Sequence, residues 1–239
     1  EMAQQGSLDL SLIGQSQLNL FVKPVLAFDL PYIVDAAKNR QFLEAFDPYT
    51  GPLYKYLDAE TQKVGLKLVM TLDTPFRSYA FTPRSGVENL SGVRGVKVRV
   101  TMSPLERAFA NALAMNPTSV GWTEVYTALQ QGTVDGEIIN YGTFAAANHA
   151  EIADRFLLTR HNMAKIFVFM NKARFDALSP EQQKMIIDAG RKAQMEEWDF
   201  SQEYERRGEE YCKQHNVELI ELTDAERAEI MKNIQPVYD

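Results

Sequence analysis

Hydrophobic and polar positions alternate with two different periods along this chain, and each change of period marks an element. From Val96 to Val100 valines alternate with Lys97 and Arg99, the two-residue repeat of a half-buried strand. The valines then share one face, toward a core, and Lys97 and Arg99 share the other. From Leu105 to Met115 the period becomes helical, with Leu105, Ala108, Phe109, Ala112 and Leu113 on one stripe behind a Ser103 cap and Pro104. A short strand, a second helix and a last strand follow, so Val96 to Ile139 predicts strand, helix, strand, helix, strand.

That order gives Arg99 a particular place, near the end of a strand and facing a helix N-terminus. In an open α/β sheet ligands bind beyond the carboxyl ends of strands, and helix N-termini favour anions. A planar guanidinium pairs both oxygens of a carboxylate at once, so Arg99 is the first candidate for an anionic ligand. A surface salt bridge is the alternative.

The rest of the pattern fills in around this stretch. Glu1 to Gln5 reads as the tail of a helix stopped by Gly6, Leu8 to Ile13 as a strand, and Gly14 to Asn19 as a polar loop. Leu26 to Ile33 is apolar and broken by Pro31; Ala36 to Leu57 predicts one or two helices broken at Pro48 and Gly51. Val64 to Leu72 predicts a strand running on through Arg77 toward Phe81. Tyr141 to Ile152 predicts a helix, followed by separate strands at Phe156 to Leu158 and Met163 to Met170. Ser179, Pro180 and Gln182 open a helix with no further proline before Gln235. Run to His215, it is about 50 Å long, longer than a small lobe is wide. Val217 to Leu222 predicts a strand, and Thr223 with Glu226 a capped last helix.

Composition narrows the function classes. The 239 residues are 45% hydrophobic and 24% charged, with a formal net charge of −7, which argues against nucleic acid as partner. No apolar run approaches the roughly 18 residues that span a bilayer. The one cysteine, Cys212, excludes an internal disulfide and a multi-cysteine metal site. His149, His161 and His215 are scattered outside metal-ligand spacings, and no GxSxG, P-loop or GxGxxG is present. Asp135 and Glu137 alternate near one strand, but Asp135-Gly136 reads more simply as the turn into it. The expectation is a protein that is not an enzyme, with no cofactor and no metal.

The segments carrying Gly95, Lys97, Arg99 and Val100, and then Glu124 to Gly136 in "EVYTALQQGTVDG", resemble the signature of the DctP-like, dicarboxylate-binding solute-binding proteins of tripartite ATP-independent periplasmic (TRAP) transporters. "GSLDLSL", "LAFDLPYI" and "LSPEQQKMIIDAG" extend the likeness over essentially the whole chain. The resemblance implies a two-lobe α/β fold of the periplasmic-binding-protein kind, with a cleft between the lobes and a long hinge-spanning helix. One lobe would comprise 1–74 plus 165–205 and the other 75–164 plus 206–239. It implies an extracytoplasmic, periplasmic protein that captures a small carboxylate, closes around it and delivers it to membrane permease subunits. A ligand-sensing module of a signalling system is the alternative.

The same resemblance assigns roles. Arg99 clamps the ligand carboxylate, Arg77 stands where a second ligand-facing arginine is often found, with a hinge salt bridge as its alternative, Trp122 where an aromatic packs on ligand, with a plain core tryptophan as its alternative, and Gln15 in a loop at the cleft. His161 sits where similar proteins also have histidine and reads as structural. One departure matters: the family's "DGxEN" asparagine falls at Ile139, and Asn140 comes one residue later, a slip that exchanges strand faces. Met102 likewise replaces a residue that is often polar. Arg99 with Trp122, Met102 and Ile139 predicts a pocket cationic at one end and apolar at the other, suited to a monocarboxylate with an apolar or aromatic body. The resemblance also places the family's first βαβ unit ahead of Glu1. Without it the first lobe is expected to expose strand edges and to bind weakly or associate.

Overall fold

The structure, a computed structural model, describes residues 2–34 and 39–238. Its elements run β1 (Leu10–Gly14), α1 (Gln15–Leu18), α2 (Asn39–Glu44), α3 (Pro52–Gln62), β2 (Leu66–Phe81), β3 (Lys97–Val100), α4 (Pro104–Ala112) and β4 (Asn116–Ser119). They continue with α5 (Val125–Gln131), β5 (Gly136–Ile139), α6 (Tyr141–Ala146), β6 (Arg155–Asn171), α7 (Lys172–Asp176), α8 (Pro180–Gln214), β7 (Glu218–Ile220) and α9 (Asp224–Asn233). No described helix is long and apolar enough to cross a membrane. The chain divides into two compact units, one of Glu1–Phe28, Ile33–Thr74 and Ala164–Gln202, the other of Asp29–Tyr32, Pro75–Met163 and Glu203–Asp239.

In the first unit β1 runs antiparallel to β6, from Leu10 opposite Met170 to Gly14 opposite Ile166. Leu18, Phe46, Leu57, Leu68, Phe167 and Phe169 form its core. Gly14 to Asn19 is a helical turn rather than the loop its polarity suggested. Leu18 is fully buried and the Gln15 side chain accepts from the Lys165 backbone N–H at 2.6 Å, so tertiary contacts order the segment. Residues 2–6 form turns instead of a helix, with Gly6 at φ 76°. The start of the helix expected from Ala36 lies outside the described residues.

The second unit carries the strand order β2-β5-β3-β4. β3 pairs parallel with both β4 and β5, and the chain reaches β4 through α4 and β5 through α5. The first crossover runs from β3 to β4 and the second from β4 back past β3 to β5; they move in opposite directions along the sheet, so their helices cover opposite faces. Val98 and Val100 join Phe109 of α4 with Tyr79, Phe81 and Ile138 in one core. On the other face Ala80, Ile139, Phe144, Phe156 and Cys212 form a second. Burial pushes the Cys212 thiol up to about 12. Ser103 caps α4 by accepting from the Glu106 N–H, and Thr223 with Glu226 closes a full capping box on α9.

Two further expectations change. The helix from Tyr141 stops at Ala146, and a separate 3-10 turn covers His149–Glu151; Asn148 between them takes φ 56°, the left-handed region. The two strands expected around residue 160 are one strand, β6. Its polar middle is absorbed: His161 Nδ1 bonds Thr159 Oγ1 at 2.8 Å, Asn162 accepts from Arg77, and Arg160 takes φ 43° while its guanidinium grips Glu221.

Helix α8 contributes residues through Gln202 to the first unit and from Glu203 to the second. In the second unit Gly208 lets it cross tightly over the start of α6, where a Cβ would fall 2.3 Å from the Tyr141 carbonyl carbon. Two glutamates of α8 carry unusual charges. Burial pushes Glu205 up to about 7 although it accepts from the Tyr141 and Gly142 N–H groups. Burial likewise pushes Glu197 up to about 7; it accepts from the Asp73 N–H, beside the buried Lys165–Asp73 ion pair. An acid raised in the folded state binds its proton more tightly there than in the unfolded chain, so its contribution to stability falls as pH rises from its ordinary value of 4.5 to about 7. Glu205→Gln and Glu197→Gln should therefore each raise the melting temperature by about 2–4 °C at pH 8 and leave it unchanged at pH 4. Equal effects at both pH values would show that these carboxyls are not destabilising when ionised.

Candidate functional site

The carboxyl end of β3 is where the strand order of the second unit reverses, β4 lying on one side and β5 on the other. Such a switch point leaves a crevice at the strand ends. Arg99 is the third residue of this four-residue strand. It is 7% exposed, its Nε donates to the Val120 carbonyl at 3.0 Å, and its Cζ lies 6.0 Å from the Trp122 ring. Among the described residues its two Nη atoms have no hydrogen-bond or ion-pair partner. Burial pushes the guanidinium below its ordinary value, while the charges of Glu106 and Glu137 oppose that. An arginine stays charged even so. Arg99 is thus a cation oriented by a backbone carbonyl, with its fork unspent.

Arg77, on β2, is equally buried but compensated. Its Nη2 donates to Glu106 Oε1 at 2.6 Å, its Nε donates to Asn162 Oδ1 at 3.1 Å, and Asp29 lies 3.9 Å away. Burial pushes Glu106 up, but the Arg77 charge and the bonds from Thr101 outweigh it and hold the carboxyl below its usual range. Glu106 Oε2 accepts from the Thr101 N–H at 2.9 Å and hydroxyl at 2.7 Å. Arg77 and Glu106 therefore pin the segment that leaves β3. His161 stacks beside them, 4.2 Å from the Phe109 ring and 5.3 Å from Tyr79; burial, then the Arg77 charge, push its imidazole well below its ordinary value.

The other expected site residues separate. Trp122 and Met102 are exposed, at 47% and 61%, beyond the ends of β4 and β3. Ile139 is 3% exposed and packed in the core with Ala80 and Phe144. Asn140 caps α6, accepting from the Thr143 N–H at 2.8 Å; its amide nitrogen has no partner among the described residues. Gln15 belongs to the first unit, bonded to Lys165. Glu137, weighed with Asp135 as a carboxylate pair and set aside, and His149 are not assigned to the site by sequence. Glu137 lies opposite Arg99 in the β3·β5 register, and its Oε1 meets His149 Nδ1 at 2.5 Å. Alternation from Arg99 across a parallel pair could have singled out Glu137; nothing in the spacing points to His149.

A family profile described as bacterial extracellular solute-binding protein, family 7 (DctP), matches residues 1–239. The chain belongs to this family. Among curated proteins it is 28% identical over 221 residues to an uncharacterised protein of Haemophilus influenzae, covering 92% of this chain and 66% of that one. It is 26% identical to the 2,3-diketo-L-gulonate-binding periplasmic protein YiaO of Escherichia coli, covering 79% of this chain and 56% of the relative. Less than two thirds of either relative is spanned. A TRAP periplasmic solute-binding protein of Xanthobacter autotrophicus, solved with bound β-D-galacturonate, matches at TM-score 0.89 and 26% identity over 100% of this chain and 76% of that one.

The two arginines should respond oppositely to loss of charge. Glu106→Ala strands Arg77 in the interior and should lower stability by about 3–5 kcal/mol, whereas Arg99→Ala, which breaks no ion-pair contact among the described residues, should lower it by clearly less. Urea unfolding of both variants checks this; equal losses would show that Arg99 is held by an internal partner.

Proposed function

We propose that this chain is the ligand-binding part of a periplasmic solute-binding protein that captures a small organic carboxylate and passes it to the membrane permease of a TRAP transporter. The reading rests on Arg99, which is buried, oriented by the Val120 carbonyl and, among the described residues, in no ion-pair contact. A ligand carboxylate supplies what it lacks, two parallel charge-assisted hydrogen bonds. Trp122 offers an aromatic face beside the guanidinium. Arg77 serves as support for that end of β3 rather than as a second clamp, because Glu106 and Asn162 occupy it.

Two ligand bodies have support. Trp122 and Met102 are exposed apolar surface, which favours an apolar or aromatic monocarboxylate. The unspent amide nitrogen of Asn140, together with relatives that bind galacturonate and 2,3-diketo-L-gulonate, favours a sugar acid.

A thermal-shift panel of D-galacturonate, D-glucuronate, benzoate and phenylacetate separates them, since a ligand of the folded state raises the melting temperature. Arg99→Ala should weaken the ligand that binds by about 100-fold, and Trp122→Ala by about tenfold. Binding that survives Arg99→Ala would sink the clamp.

A further inference from the structure

Glu106 departs from the usual geometry of its position. It is the third residue of α4 behind the Ser103 cap, where a glutamate ordinarily turns back to the N–H of the capping residue. Here Ser103 Oγ accepts from the Glu106 N–H at 3.4 Å, but the Ser103 N–H goes to Thr101 Oγ1 at 3.3 Å. The carboxylate reaches past the cap and is buried. Its Oε2 accepts from the Thr101 N–H and hydroxyl, and its Oε1 from Arg77 Nη2. A guanidinium, a backbone N–H and a hydroxyl converging on two oxygens are the donors that a bound carboxylate takes. The chain fills that place with a side chain of its own. Arg77 is not used up by it: Nε serves Asn162, Nη2 serves Glu106 with Asp29 farther off at 3.9 Å, and Nη1 has no partner among the described residues.

The filled place stands near Arg99. Arg77 precedes Ser78, which pairs with Ile139, the last residue of β5, so it lies at the end of the sheet where β3 and β5 finish. Only β5 separates β2 from β3, a lateral distance of about 10 Å. Burial pushes the Arg99 guanidinium down, the charges of Glu106 and Glu137 push it up, and that of Arg77 pushes it down again. Glu106 and both arginines thus act on one another through space.

Building on the carboxylate reading of Arg99, we propose that Glu106 is a specificity-determining residue: it occupies Arg77 in place of a second ligand carboxylate, so that the site takes one carboxylate at Arg99 and discriminates against dicarboxylates. A second carboxylate arriving there meets a like charge and an arginine already paired, the kind of unfavourable contact by which a site rejects a near relative of its ligand. Removing Glu106 opens a second anion subsite at Arg77.

The ratio of affinities for matched acids tests this, because a purely structural loss weakens both members of a pair alike. D-Galacturonate is set against galactarate, and benzoate against isophthalate, each diacid carrying one more carboxylate than its partner. Wild type should prefer the monoacid of the pair it binds by about tenfold or more, and Glu106→Ala should bring the ratio near unity or reverse it. Glu106→Gln keeps the shape without the charge and should move the ratio the same way, which covers the case of an alanine variant that does not fold. A second arm is independent of Arg99. Sodium acetate, compared with sodium chloride at equal ionic strength, should raise the melting temperature of Glu106→Ala by about 2–4 °C more than that of wild type, because acetate fills the vacated place. The excess should vanish when Arg77→Met is combined with Glu106→Ala. An unchanged ratio, or equal acetate shifts in wild type and Glu106→Ala, overturns the proposal. The acetate excess with no acid of either pair binding wild type overturns the carboxylate reading of Arg99, and the specificity role with it, while Glu106 stands as the occupant of Arg77.

Discussion

A buried guanidinium must be compensated, and the second unit is built around two of them that meet this demand differently. Taking an arginine out of water is expensive unless hydrogen bonds and opposite charge replace the lost hydration. Arg77 finds both inside the protein, in Glu106, Asn162 and Asp29. Arg99 finds one carbonyl, one aromatic face and, among the described residues, no carboxylate in ion-pair contact. One arginine belongs to the architecture. The other keeps two Nη atoms that have no partner among the described residues.

The fold explains why the two roles fall where they do. β3 lies between β4 and β5, and the two crossovers run in opposite directions along the sheet, so a crevice is left at its carboxyl end. Glu106, in the first turn of α4, turns back to hold Thr101 and Arg77 together, which fixes the segment next to Arg99. The Val120 carbonyl at the end of β4 then sets the guanidinium's direction. The site is an outcome of a βαβαβ arrangement whose loops are tied by buried charge.

Most of this architecture is legible in the order of residues. The valine and basic alternation placed β3, Ser103-Pro104 placed the start of α4, and Thr223 with Glu226 placed α9, because each signal is local and each matches the physics of the element it marks. The place of Arg99 on that strand was legible for the same reason. What was not legible depends on partners distant in sequence. Arg77 reads equally as a ligand contact or a salt-bridged residue until Glu106, 29 residues on, is seen to occupy it. Gln15 reads as loop until Lys165, 150 residues away, bonds it. Ile139 reads as pocket lining, and only the packing of Ala80 and Phe144 around it shows a core residue. His149 carries no periodic signal at all, since its role is set by Glu137 across a separate element.

Among the described residues Arg77 is satisfied within the protein and Arg99 is not. Arginine-selective NMR of the guanidinium Nη–H groups measures that difference directly, because restrained groups exchange slowly with water and rotate slowly. Arg77 should be restrained in the ligand-free protein, and Arg99 should become restrained only when a carboxylate is added. Slow Nη–H signals from Arg99 without ligand, or ligand-dependent signals from Arg77 instead, would contradict it.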